Sequence, residues 1–150
     1  MADDNLQPRD LGIDLDPDTA DPTPQALYRW LLASVLFGRP VQQQVSADTY
    51  HVLIDHGLTS PARFAEVGRE ALRRILDEGS YARIDYVMAD ELHEVMGRID
   101  SEHGSVNHLV RSSADAATLR SRLTEYTGVG PKTADIFTRQ ISPTLFSTAG

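Results

Sequence analysis

The stretch LTEYTGVGPKTADIF, residues 123–137, decides how this chain folds. Apolar Leu123 and Tyr126 precede a Gly-Val-Gly triplet, and apolar residues resume at helical spacing after Pro131. The two glycines of the triplet can adopt backbone angles closed to other residues, and they place no side chain on the turn. Proline suits the first position of a helix, because the N–H that it lacks has no partner there. The stretch therefore predicts two helices joined by a tight hairpin.

This hairpin is expected to bind an anion. Backbone N–H groups at the start of a helix have no partner within it, and the helix dipole favours negative charge at that end. A DNA strand offers consecutive phosphates to such groups, and these contacts carry no sequence information. The alternatives are a turn that only packs and a hairpin that contacts protein. We expect the DNA backbone to contact Thr127, Gly128, Val129, Gly130, Lys132 and Thr133.

The remaining sequence predicts an all-α fold. Apolar residues recur at steps of three and four, and no segment alternates with the period of two that marks a strand. The first helix is expected to begin at Pro24 with Thr23 as its cap, and the longest to cover residues 82–102.

Three regions are expected along the chain. Residues 1–24 contain four prolines and seven aspartates, which predicts a disordered acidic leader. Such a leader makes the protein more soluble or, as an alternative, masks a DNA-binding surface by resembling DNA. The folded domain is expected over residues 25–142, followed by a frayed end at residues 143–150.

The charge of the chain is unevenly distributed. Its formal net charge of −8 by itself disfavours nucleic acid as a partner. Residues 1–25 hold seven aspartates and one arginine, a net of −6, whereas residues 111–140 hold five basic and three acidic residues, a net of +2. A mildly basic C-terminal region suits local phosphate contacts but not tight binding through charge alone.

The composition restricts the cofactors. Cysteine is absent, which excludes disulfides, thiol catalysis and cysteine-bound iron–sulfur clusters. The five histidines lack the spacing of a metal site, so we expect no metal ligands and no cofactor. The carbonyl groups of the hairpin are candidate ligands for a monovalent cation that bridges to phosphate.

No segment suggests a membrane partner. The longest apolar run, residues 31–37, is far shorter than the roughly 20 residues of a membrane-spanning helix. The first residues do not read as a signal peptide. We expect a cytoplasmic protein, associated with the nucleoid if the source is bacterial.

Beyond the hairpin, the order of predicted helices resembles the endonuclease III-like helix-hairpin-helix DNA glycosylases, over roughly residues 26–141. Leu-Leu-Ala-Ser at 31–34 looks like the early helix of that family. Gly-Ser-Tyr at 79–81 falls at its Gly-x-Tyr turn, and His103-Gly104 at the break after its long helix. The resemblance implies an endonuclease III-like helical bundle that acts in base-excision repair.

A second candidate DNA contact lies at the earlier of these turns. Tyr81 and Arg83 are placed to contact a phosphate or to fill a distorted duplex. The alternative for Tyr81 is packing at the junction of two helices.

The resemblance nominates Lys132 as a catalytic nucleophile. In the family's bifunctional members, the lysine at this position attacks the sugar and forms a Schiff base. The chain departs from the family in three ways. No acidic residue follows Asp135, where the family has its catalytic aspartate; the cluster-binding cysteines are missing; and the early helix lacks the glutamine inserted into the duplex, with Gln42, Gln43 and Gln44 coming only after Pro40.

Two main functions remain open from the sequence. One is a DNA glycosylase or AP lyase in which Lys132 acts on a flipped nucleotide between two helical lobes. The other is a non-catalytic DNA-binding module that keeps the scaffold and the hairpin. A helical protein–protein adaptor is a weaker third.

Overall fold

The computed structural model describes residues 7–79, Tyr81 and residues 85–146. Every regular element in these ranges is helical, which confirms the predicted all-α class. Short 3-10 helices lie at Pro8–Leu11, Pro61–Glu66 and Pro143–Leu145. The α-helices of the described ranges are α1 (Pro24–Phe37), α2 (Gln43–Asp55), α3 (Arg69–Glu78), α4 (Asp85–His103), α5 (Val106–Arg111), α6 (Ala116–Thr124) and α7 (Pro131–Thr138).

Helix α1 is the centre of the fold. It begins as the sequence predicts, with Pro24 in its first turn and the Thr23 hydroxyl accepting a hydrogen bond from the Ala26 N–H at 3.1 Å. Most of its residues are buried, and it contacts α2, α5 and α7. The indole N–H of Trp30, which is 0% exposed, donates to the Phe137 carbonyl at 3.3 Å and so joins α1 to α7. Full burial of one large apolar side chain contributes about 1.5–3 kcal/mol.

A second group of helices is linked to α1 through α2. Helix α3 packs against α2 and α4, and the 3-10 helix at Pro61–Glu66 packs against α4. Gly79, which follows α3, lies so close to α2 that a Cβ there would overlap Thr49. The Thr49 hydroxyl donates to the Gly79 carbonyl at 3.1 Å, so the end of α3 is held against α2.

The predicted disordered leader is wrong for the residues that the structure describes. Three apolar residues lie between the aspartates of this segment: Leu11, Ile13 and Leu15. Their side chains are 3–7% exposed and belong to the core. Asp21 pairs with Arg111 of α5 at 3.0 Å. Composition suggested disorder because the aspartates outnumber these apolar residues, but three buried anchors are enough to hold the segment on the domain.

The C-terminal boundary also differs from the sequence prediction. The expected fray at residues 143–150 is wrong for residues 143–146, because Leu145 is 4% exposed and Phe146 packs against the core. Helix α2 begins at Gln43 with Gln42 as its N-cap, so the glutamines that follow Pro40 start this helix. Within the described ranges no helix combines the length and apolar character needed to cross a membrane.

Candidate nucleic-acid interface

Helices α6 and α7 are joined by a compact turn at residues 125–130, called the α6–α7 turn below. The Tyr126 N–H donates to the Leu123 carbonyl, and the Val129 N–H donates to the Tyr126 carbonyl, each at 3.1 Å. Val129 is 4% exposed and belongs to the core, so its side chain anchors the turn between the two helices. These bonds and this anchor fix the path of the backbone across the turn.

The two glycines of the turn differ in what surrounds them. Gly128 has φ +88°, a conformation that L side chains rarely adopt, and a Cβ there would lie 2.6 Å from the Glu91 carboxyl carbon. Gly130 has φ −94°, and a Cβ there would meet nothing within 4 Å. The fold therefore requires glycine at Gly128, whereas nothing inside the described protein requires it at Gly130.

Polar side chains of α4 contact the α6–α7 turn. The Arg98 guanidinium lies 4.8 Å from the centre of the Tyr126 ring, and the Tyr126 hydroxyl bonds to Glu102 at 3.4 Å. Burial, and then the negative charge of Glu102, raise the pKa of Tyr126 to about 12. The Thr127 hydroxyl is 3.5 Å from Glu94, so carboxylates border one side of the turn.

The start of α7 is open. Its N-cap is Gly130, and no side chain caps the first turn. At the start of α6, by contrast, the Asp115 carboxylate accepts from the Thr118 N–H at 2.8 Å, and this bond holds the pKa of Asp115 below its usual range. The first N–H groups of α7 have no partner inside the helix and are therefore available to an external anion.

Lys132 lies in this first turn of α7 and is exposed. Among the described residues it has no hydrogen-bond or ion-pair partner. It is also the one lysine in the sequence, since the other 13 Lys or Arg positions are all arginine. Asp135, one turn further along α7, is held by Arg120 and Arg139 at 3.3 Å each.

A cavity of 590 Å³ opens beside Lys132, between α7 and the segment that joins α1 to α2. From α7 it is lined by residues at positions i, i+3, i+4 and i+7, which share one helix face: Lys132, Asp135, Ile136 and Arg139. From the other side come Phe37, Arg39, Pro40, Val41, Gln42 and Gln43. The structure thus brings Lys132 together with two of the three glutamines that follow Pro40. Arg39 forms an ion pair with Glu91 of α4, the residue beneath Gly128.

The close approach of α1 to α7 explains this placement. Gly38 ends α1, and a Cβ there would overlap the Thr133 hydroxyl. Thr133, one of the predicted DNA contacts, is 3% exposed and faces α1. Its side chain therefore holds the start of α7 against α1. Only its backbone N–H is left for a contact at the start of α7.

Of the other predicted contacts, Tyr81 does not join this site. Tyr81 is 1% exposed, and its hydroxyl donates to the Leu36 carbonyl at 2.8 Å. Its burial raises its pKa to about 12. It packs between helices, which was the alternative considered for it. Arg83 lies outside the described residues.

Little in the sequence indicates the cavity itself. Arg39, Glu91 and Arg139 are ordinary members of helices or loops in the sequence, and their association depends on how α1, α4 and α7 meet. One feature of the sequence does point to this site, because the only lysine of the chain stands in the hairpin motif.

In the described part of the chain, no three histidine or carboxylate side chains are grouped as a metal site requires. His56 pairs with Glu78 at 3.1 Å, and His93 bonds to the Val67 carbonyl at 2.7 Å.

In comparisons of the sequence, no protein-family model matches this chain. No curated protein is significantly similar to it either.

Proposed function

We propose that this protein binds DNA through the phosphate backbone, with the α6–α7 turn acting as a helix-hairpin-helix motif on an endonuclease III-like scaffold. The observation that carries the proposal is the open start of α7 at Gly130, with Lys132 beside it and without a partner among the described residues. Backbone N–H groups, a helix dipole and one mobile cation together suit a phosphate diester.

The glycine at position 130 supports the same function. A Cβ there would touch nothing inside the described protein, so packing does not explain this glycine, and the bare backbone beside Lys132 is open to a group that approaches from outside. A phosphate within hydrogen-bond distance of the backbone N–H groups is such a group. A monovalent cation on the carbonyl groups of the turn stays a prediction.

The charges around the turn restrict how the protein binds. Glu94 borders the turn, Glu125 is its first residue, and the chain carries a net charge of −8. Tight binding through many phosphate contacts is therefore disfavoured, and we expect a small interface in which the hairpin contacts a few phosphates of one strand.

The decisive experiment compares two glycines at helix N-caps. Gly130 and Gly68 both cap a helix, both have ordinary φ angles, and a Cβ meets nothing within 4 Å at either. Gly130→Leu is expected to weaken binding to a duplex oligonucleotide at least tenfold, measured by fluorescence anisotropy, because the side chain blocks the N–H groups. Gly68→Leu is the matched control and is expected to leave affinity unchanged. Equal affinity for both variants and the parent would remove the hairpin as the DNA contact.

A second candidate function is AP lyase chemistry at Lys132, and one observation favours it. The single lysine of the chain lines the 590 Å³ cavity together with Gln42 and Gln43. A lysine amine that attacks the C1′ aldehyde of an abasic sugar expels water and leaves an imine, and this is the Schiff-base role for which proteins select lysine over arginine.

Borohydride trapping tests this second function. Borohydride reduces an imine to a stable amine, so incubation with abasic DNA and borohydride yields a covalent adduct if the lysine reacts. The adduct is expected to map to Lys132 and to disappear in Lys132→Arg, which keeps the charge. DNA binding without an adduct would instead identify a non-catalytic binding module.

A further inference from the structure

The cavity beside Lys132 has more features than a backbone contact needs. Its volume of 590 Å³ falls within the range of about 300–1,000 Å³ typical of small-molecule sites. The proposed hairpin contact uses the start of α7 and Lys132. It assigns no role to Arg39, Arg139 or the apolar wall of the cavity, although all of these line the same space.

The first of these features is an excess of positive charge. Lys132, Arg139 and Arg39 line the cavity against one lining carboxylate, Asp135. Arg120 also pairs with Asp135 from outside the cavity, at 3.3 Å. Glu91, the partner of Arg39, does not line the cavity, so the lining itself carries three basic side chains and one carboxylate. In a chain of net charge −8, such a local excess marks a place where an anion is favoured.

The second feature is a wall suited to a flat heterocyclic ring. Phe37, Val41 and Ile136 supply apolar surface. Gln42 and Gln43 stand on the same side, at the start of α2. A glutamine amide offers both a donor and an acceptor, which is the combination that pairs with the edge of a nucleobase.

We propose that this cavity binds a nucleotide that carries a phosphate monoester. The phosphate lies against Lys132 and Arg139, and the base lies against Phe37 and Ile136. A monoester carries about −1.5 to −2 charges at pH 7, more than the single charge of a diester, and so matches the excess of cations. Two sources offer this chemistry, a free mononucleotide and the phosphorylated end of a DNA strand. The strand-end form rests on the proposed function, because Lys132 belongs to both the hairpin and the cavity.

Calorimetric titration of the full-length protein tests the ligand class. We expect 2′-deoxyadenosine monophosphate to bind at least tenfold more tightly than deoxyadenosine, which lacks the phosphate, and than inorganic phosphate, which lacks the base. Absence of monophosphate binding would overturn the proposal. Equal binding of monophosphate and inorganic phosphate would also overturn it, because the base wall would then have no part.

Two variants locate the binding. Arg139→Gln is expected to weaken monophosphate binding about tenfold, as loss of one charge-assisted hydrogen bond predicts. Arg63→Gln is the matched control, since Arg63 is 57% exposed on the 3-10 helix that packs against α4, away from the cavity. Unchanged monophosphate affinity in Arg139→Gln would overturn the assignment to this cavity.

Gly130→Leu separates this proposal from the proposed function. Gly130 does not line the cavity, so the variant is expected to lose duplex binding and to keep monophosphate binding. Loss of duplex binding in Gly130→Leu therefore tests the hairpin without involving the cavity. Loss of monophosphate binding in Arg139→Gln tests the cavity without involving the hairpin.

A last comparison distinguishes the two sources. If the strand end is the ligand, a duplex with terminal phosphates binds at least tenfold more tightly than the same duplex with terminal hydroxyls, and Arg139→Gln removes the difference. If the two duplexes bind equally while the monophosphate still binds, a free mononucleotide is the ligand.

Discussion

Two turns of this protein carry the same sequence signal but have different surroundings. The turn after α3 and the α6–α7 turn each place a glycine near a tyrosine between two helices, and each suggested a DNA contact. At the first, Gly79 is pressed against Thr49, and Tyr81 is buried with its hydroxyl on the Leu36 carbonyl. At the second, Gly130 has open space around it and is followed by an exposed Lys132. A glycine indicates an external ligand only when nothing inside the protein requires it.

The largest effect expected from this comparison is at Tyr81. Truncation of a buried aromatic side chain costs roughly 3–5 kcal/mol, so Tyr81→Ala is expected to lose that much free energy of unfolding in urea titrations. Tyr81→Phe keeps the ring and loses only the bond to Leu36, about 1 kcal/mol. Thr127→Ala, on the exposed side of the α6–α7 turn, is the control and is expected to change stability by less than about 0.5 kcal/mol. If Tyr81→Ala were as stable as the parent but bound DNA less tightly, Tyr81 would be a DNA contact and not a packing residue.

The next effect separates the two glycines of the α6–α7 turn. Gly128→Ala is expected to lose about 1–3 kcal/mol of stability, because its φ of +88° is strained for alanine and the new Cβ meets Glu91. Gly130→Ala is expected to stay within about 0.5 kcal/mol of the parent. Thermal unfolding of the two variants side by side measures the difference. Equal losses at both positions would show that Gly130 also has an internal role.

A smaller effect concerns the salt dependence of DNA binding. Each phosphate neutralised by a basic side chain contributes about −0.9 to the slope of log K against log salt concentration. Lys132→Gln is therefore expected to make the slope shallower by about 0.9, with Tyr81→Phe as the unchanged control. A slope that does not respond to Lys132→Gln would remove this side chain from the phosphate contact.

A further effect appears at alkaline pH. Burial raises the pKa of Tyr81, and burial with the charge of Glu102 raises that of Tyr126, each to about 12. Above a pH of about 10 the unfolded chain releases these protons while the folded chain retains them, so stability is complete below pH 10 and falls as pH rises toward 12. Tyr81→Phe is expected to show a shallower fall, measured by urea titration at several pH values. An identical pH dependence in the variant would contradict the assignment to Tyr81.

Much of the fold was predictable because local signals agree with each other. The cap of α1 at Thr23 and the glycine that ends α1 stand where the apolar periodicity begins and stops. The leader was misjudged, because Leu11, Ile13 and Leu15 recur at steps of two over only five residues, and the surrounding aspartates outweighed this short pattern. Their burial depends on a surface of the folded domain, which composition does not describe.

The candidate site was predictable only in part. The pattern around residues 128–132 located the open helix start, since backbone geometry and proline position are local properties. The cavity was not predictable in the same way. It depends on Arg39, Glu91 and Arg139, which come from three separate parts of the chain, and periodicity assigns each of them only to a solvated face.

The sequence by itself determined that this protein is helical, that α6 and α7 meet in a glycine turn, and that one lysine follows it, because each of these depends on neighbouring residues and their backbone preferences. The tertiary structure decided which turn faces inward, how the acidic N-terminal segment is held, and what surrounds Lys132. Those outcomes depend on the contact of Gly38 with Thr133 and of Gly79 with Thr49, and contacts between distant residues form only when whole helices pack.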